Sequence, residues 1–253
     1  MLIDNPWFYL AAVPAVLITG ISKGGFGGIG GIAVPAMALV ISPVQAAAIM
    51  LPILCLMDVV GVAAYRRIWH RRNVAIMVPA AVLGILIGYL TFEHLTDDIV
   101  RLIVGVIALS FTLYRWILVP LLGRRDAPAI GPSVARGTVW GTLLGFTSFV
   151  AHAGSPPAQI YLLPQRLDKT VYQGTMVVAF MAVNYVKLVP YAMLGQLSAA
   201  NMSTALVLLP LAPVGVWLGV WLHKRVPEVL FYRIAYLALF GTGVKLVWDG
   251  LGL

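Results

Sequence analysis

Runs of about 20 apolar residues, nearly free of charge, recur along this chain from end to end, and each is long enough to cross a hydrocarbon core of roughly 30 Å as a helix. Few folds can hold such a sequence. With 61% hydrophobic and only 10% charged residues, a water-soluble globule could not hide the apolar surface, since soluble domains are about a quarter charged. Backbone facing lipid must satisfy its own hydrogen bonds, and no segment shows the two-residue alternation of a membrane barrel. The expected fold is an all-α polytopic membrane protein, one transmembrane domain over 1–253, with the lipid bilayer as its first partner.

A net charge of +8 would suggest nucleic acid in a soluble chain, so the placement of the charges decides. Arg66, Arg67, Arg71 and Arg72 form one cluster, Arg124, Arg125 and Arg136 a second, and Lys224 with Arg225 a third, all in short loops between apolar runs. That is the positive-inside pattern of a multi-pass protein, and it implies no nucleic-acid partner. The single cysteine, Cys55, lies in an apolar run, so neither a disulfide framework nor a cysteine metal site is expected, and no cofactor or metal is implied. Met1 to Pro6 lacks the basic start of a cleaved signal peptide, so the first apolar run is expected to be retained.

Apolar runs and their breaks give segments 6–22, 24–41, 44–65, 74–92 and 99–122, then 134–151, 156–166, 170–193, 201–222 and 228–250. Two pairs are short and interrupted: 6–22 with 24–41, at Ser22-Lys23-Gly24-Gly25-Phe26-Gly27-Gly28-Ile29-Gly30-Gly31, and 134–151 with 156–166, at His152-Ala153-Gly154-Ser155-Pro156-Pro157. Each reads as a broken or re-entrant helical hairpin followed by three spanning helices. Such breaks are tolerated at membrane depth only where the freed backbone is buried in protein or lines a cavity.

The halves, about 1–122 and 134–253 with a cytoplasmic linker 123–133, also resemble each other. Slid by 126 residues, Met50 falls on Met176, Asp58 on Asn184 and Tyr65 on Tyr191; slid by 131, Pro79, Gly84 and Gly88 fall on Pro210, Gly215 and Gly219. The loop charges run segment 44–65 inward and its counterpart 170–193 outward. Inverted-topology repeats are how many secondary transporters alternate access to a midplane site.

Lys23 is the strongest single signal, because an ammonium inside an apolar region needs a partner or a watery cavity. Beside it, Ser22, Gly24, Gly25, Gly27 and Gly28 offer backbone amides and a helix start, which together describe an anion site. The competing reading has Lys23 snorkelling to an interface while the glycines serve helix packing. The second break offers His152, Gly154 and Ser155, with Gln159 one turn on. Asn184, Lys187 and Tyr191 share one helical face, with Gln173 also on Asn184's face. Asp58 and Lys187 either neutralise each other as a buried pair, or Asp58 exchanges a proton during transport; Asp58 and His152 are the proton-coupling candidates.

The glycine-rich junction at Ser22–Gly31, with Pro35 beyond it, and the two-half layout resemble the sulfite exporter TauE/SafE family over essentially the whole chain. The resemblance implies a permease of the bacterial inner membrane moving sulfite, an organosulfonate such as sulfoacetate, or a related sulfur-containing anion. It implies no enzyme. Two further readings stand beside it: a passive anion channel, and an intramembrane serine hydrolase built on Ser155 and His152. Assembly into a homo-oligomer is left open by the sequence.

Overall fold

The computed structural model describes residues 3–25, 33–94, 96–121, 129–223, 225 and 227–252, and every regular element among them is helical. In chain order these are α1 (Pro6–Gly25), α2 (Ala33–Met37), α3 (Pro43–Ala64), α4 (Arg71–Thr91), α5 (Asp97–Leu113) and α6 (Val119–Leu121). The second half supplies α7 (Val134–Ala151), α8 (Ser155–Leu162), α9 (Lys169–Met193), α10 (Ala199–Leu208), α11 (Leu211–His223) and α12 (Glu228–Gly250). Local chemistry sets several starts. The Ser42 hydroxyl accepts from the Gln45 amide ahead of Pro43, Ser133 accepts from Arg136, Asp168 from Thr170, and Ser198 from Asn201.

α7 and α12 fall on the expected segments, whereas four others differ clearly. The first helix does not stop at residue 22: it runs through Gly25, and the expected segment 24–41 contributes only α2 among its described residues. The expected 99–122 helix ends at Leu113 and passes through a π-helical turn, Tyr114–Leu118. The expected 201–222 helix is two helices bent by 42° at the Leu209-Pro210 break, where proline removes an amide from the ladder. Among the described residues, four helices (α1, α3, α4, α9) are long and apolar enough to cross a membrane, or five if α10 and α11 count as one span.

α3 is the hub, touching α1, α2, α5, α7, α9, α10 and α11. It is apolar on every side, as a helix enclosed by other helices must be. The outer helices turn large apolar residues outward instead: Leu83, Leu86, Ile87 and Leu90 on α4, and Val214, Trp217 and Trp221 on α11. That surface suits a hydrocarbon solvent.

Several helix crossings join the halves, and two of the most extensive are glycine seams. α1 lies on α11 with Gly20 and Gly24 against Gly215 and Gly219; α4 lies on α7 with Gly84 and Gly88 against the helix that carries Gly141 and Gly145. All four pairs are spaced by four, the pattern that lets helix backbones approach closely. A Cβ on Gly24 would stand 2.2 Å from the Val216 carbonyl oxygen, and one on Gly84 1.9 Å from that of Thr142. α1 and α4 of the first half thus each pack on a second-half partner.

Candidate anion site

The last turns of α1 and α7 line one cavity together with residues of α3 and α9. α7 is closed by His152 in a left-handed conformation, φ 52°, with its amide donating to the Ser148 carbonyl at 3.1 Å and the Ala153 amide to Thr147 at 3.1 Å. A non-glycine residue there costs about 1 to 2 kcal/mol and persists only where its surroundings fix it. Here they do. His152 Nε2 lies 2.8 Å from the Ala47 carbonyl, which can only accept, so Nε2 carries the ring hydrogen and Nδ1 accepts from the Lys187 ammonium at 2.6 Å.

Lys187 is fully buried yet supplied with one acceptor for each ammonium hydrogen: His152 Nδ1, the Ser148 carbonyl at 3.0 Å and the Ser148 hydroxyl at 3.0 Å. Asp58, also fully buried, pairs with Lys23 through one carboxylate oxygen and accepts from the Asn184 amide through the other at 2.6 Å. The expected alternative of an Asp58–Lys187 pair is therefore corrected. Lys187 stands one helical turn beyond Asn184 and turns to the end of α7, leaving Asp58 to the lysine of α1. The Lys23 ammonium also sits 5.7 Å above the centre of the Phe180 ring.

Between these groups lies a cavity of about 40 Å³. That is room for more than one water-sized group, at the roughly 10 to 15 Å³ each needs. Its polar walls are Ser22, Lys23 and Asp58 from the first half and Ser148, His152, Ser155, Gln173 and Asn184 from the second; Leu54, Met176, Val177 and Phe180 complete it. Gln173 braces the end of α1, its amide nitrogen donating to the Lys23 carbonyl at 2.6 Å and the Ser22 carbonyl at 3.2 Å. Two tyrosines brace the same two helix ends: Tyr65 donates to the Gly24 carbonyl at 2.5 Å, and Tyr191 to the Phe149 carbonyl at 2.6 Å.

Of the residues expected at the site, Ser22, Lys23, Asp58, His152, Ser155 and Asn184 line the cavity, and Lys187 reaches it through His152 and Ser148. Gly24 and Gly25 do not present amides to a ligand. They are helical and press on α11, where a Cβ on Gly25 would stand 2.3 Å from the Gly219 carbonyl oxygen, so their role here is packing. Gly154 is likewise wedged against Leu144 and Ser148, and Gln159 is buried in α8 away from the cavity. Gly27 and Gly28 lie outside the described residues. Ser148 and Phe180 were not expected, although each stands 126 residues after another lining residue, Ser22 and Leu54. The repeat offset was the signal that could have found them.

A family model described as Sulfite exporter TauE/SafE matches residues 12–246, nearly the whole chain. The chain belongs to the sulfite exporter TauE/SafE family. Neither the curated proteins nor the solved structures compared with it give a match. As a TauE/SafE protein with membrane-length helices, it is a multi-pass member of a transporter family. Nothing in this geometry points to a hydrolase: both ring nitrogens of His152 contact other groups, the Ala47 carbonyl and the Lys187 amine nitrogen.

Proposed function

We propose that this protein is a secondary carrier that exports a small sulfur-containing anion, such as sulfite or an organosulfonate, across a bacterial cytoplasmic membrane, and that Lys23 is the main electrostatic anchor of the anion. The observation that carries the reading is the convergence of Lys23, three hydroxyls and the Asn184 amide, drawn from both halves, on one cavity, with Lys187 behind His152 and Ser148. Lys23 and the neutral donors outnumber the single carboxylate there, and a site of that make-up suits an oxyanion.

The reading includes two inverted halves meeting at the cavity. Supporting it, contacts recur under exchange of halves: α1 on α11 answers α4 on α7, and α3 meets α9. So do single residues. Ser42 and Asp168 cap α3 and α9, Tyr65 and Tyr191 brace α1 and α7, and each pair is separated by 126 positions. Inward and outward access would then alternate as the two repeats rock about the shared site.

The experiment is flux of sulfite and of a short sulfonate in proteoliposomes, with and without a pH gradient, for wild type, Lys23→Ala, Asp58→Asn and His152→Gln. A carrier gives saturable flux, lost in Lys23→Ala, and responds to the gradient, with Asp58 and His152 as the cavity groups to which coupling is assigned. Flux that never saturates and ignores every gradient indicates a channel, and no flux of either anion removes the reading.

A further inference from the structure

Basic side chains crowd one end of the bundle: Arg66, Arg67, Arg71 and Arg72 at the entry to α4, Arg136 in the first turn of α7 and Lys169 in the first turn of α9. Packing gathers the three helix starts there. The His70 amide donates to the Thr175 hydroxyl of α9 at 2.9 Å, the Asn73 side-chain amide donates to Gln165 at 2.8 Å, and a Cβ on Gly137 of α7 would strike Ile76 of α4. Arg72 and Arg136 both act electrostatically on the Tyr161 hydroxyl, which itself donates to the Ser133 carbonyl at 3.3 Å. The loop from α3 to α4 is fixed in place, with Arg67 in a left-handed conformation, φ 70°, and the Ile68 carbonyl pressed on Gly174 of α9.

Little within the chain offsets these charges. Among the described residues none of them forms a salt bridge, and the one acidic residue in segments 66–73, 133–137 and 165–175 is Asp168, beside Lys169 and engaged as the cap of α9. Helix N-termini carry a partial positive charge and are stabilised by acids, yet α4, α7 and α9 have no acid in their first turns and carry cations instead. Orientation in the membrane requires basic residues on that side, but not that they be held in the first turns of three adjoining helices. An anion outside the chain would offset both the side chains and the helix ends. Exposed Ile68 and Val134 and half-buried Trp69 lie among the basic residues in sequence, so the face joins charge to apolar surface.

We infer that this face binds the phosphate headgroup of an anionic phospholipid, with Arg72 and Arg136 as the central contacts. Guanidinium forks match phosphate oxygens two at a time, and a lipid brings glycerol and acyl chains to the apolar residues beside them. Free phosphate offers the same oxygens and nothing for Ile68, Trp69 or Val134, which is why the lipid is the occupant. The inference is independent of what the cavity carries.

The test offers the full chain, in mixed micelles, phosphatidylglycerol or phosphatidylcholine with the same acyl chains, and reads bound lipid by native mass spectrometry. Wild type is expected to retain phosphatidylglycerol over phosphatidylcholine by at least about tenfold, a conservative figure when each basic residue near an anionic headgroup is worth roughly fivefold. Arg72→Gln/Arg136→Gln is expected to lose most of that preference. Arg225→Gln/Lys245→Gln makes the same change of charge outside these helix starts, with Arg225 stacked on Trp221 at 4.4 Å, and is expected to keep it. A wild type without the preference, a folded Arg72→Gln/Arg136→Gln protein that keeps it, or an equal loss in both double variants overturns the inference. So does displacement of the lipid by millimolar inorganic phosphate at matched ionic strength, which would mark a site for the free anion. If Arg72→Gln/Arg136→Gln does not fold, Arg136→Gln alone decides: a loss of about fivefold supports the site, and no loss removes it.

Discussion

Asp58 and Asn184, 126 residues apart, are joined by a 2.6 Å hydrogen bond at the wall of the cavity. The same 126-residue offset superposes Tyr65 on Tyr191, so the register that aligns the halves in sequence also brings two of their counterpart residues into contact. Meeting of equivalent positions is what a two-fold axis passing between α3 and α9 would produce.

Removing one member of the Lys23–Asp58 pair strands a buried charge. Lys23→Ala is expected to lower stability by roughly 3 kcal/mol, whereas Lys23→Met/Asp58→Asn recovers most of that loss because both members of the pair are removed together. Both variants lose anion flux. Thermal unfolding in detergent beside proteoliposome flux separates the effects, and equal stability of the two variants would contradict the pairing.

The glycine seams make a steric prediction. Gly24→Ala and Gly84→Ala each force a Cβ into a facing carbonyl oxygen, at 2.2 Å and 1.9 Å, and should destabilise by about 1 to 3 kcal/mol as the helices are pushed apart. Gly131→Ala, with nothing within 4 Å, serves as the control and should stay within about 0.5 kcal/mol. Melting temperatures measured on all three proteins check it.

Tyr65→Phe and Tyr191→Phe should behave as a matched pair. Each removes one buried interhelical hydrogen bond, to the Gly24 or the Phe149 carbonyl, worth roughly 0.6 to 1.5 kcal/mol. Similar losses that add in the double variant are expected, because the bonds share no atom. A loss confined to one of them would count against equivalence of the halves.

At the start of α9, the Asp168 carboxyl accepts from the Thr170 and Val171 amides, first from Thr170, and is held below its ordinary value by them. A depressed folded-state value means the cap stabilises above the unfolded value, near pH 4, and is lost as pH falls through the folded one. Asp168→Asn keeps a capping oxygen but should show less added loss of stability on acidification below about pH 4 than wild type. Acid titrations of melting temperature for the two proteins measure the difference.

Fold class and most segment positions were legible because hydrophobic length is written directly in the sequence. Lys23 and Asp58 stood out for the complementary reason, as charges where charge is expensive. Other features depended on contacts that no local pattern encodes. Lys23 and Asp58 stand 35 residues apart, and which lysine Asp58 would choose turned on the direction in which Lys187 leaves α9. Gly24 and Gly25 read equally well as ligand amides or as packing residues until α11 was seen against them. Proline at 210 was visible, but a 42° bend needs the neighbours of both half-helices to be known.

The crosswise glycine seams carry a consequence for how the chain comes to exist. α1 is made well before the backbone it rests on, Gly215 and Gly219 in α11. Until then its glycine face has only lipid or provisional neighbours, and Lys23 waits without the second half of its chamber. Asp58, only 35 residues on, can meet Lys23 early, but the glycine face of α1 stays without its own partner until α11 is made. Neither half, made alone, has the surface it was shaped to lie upon, and two separately made halves should stabilise one another on meeting.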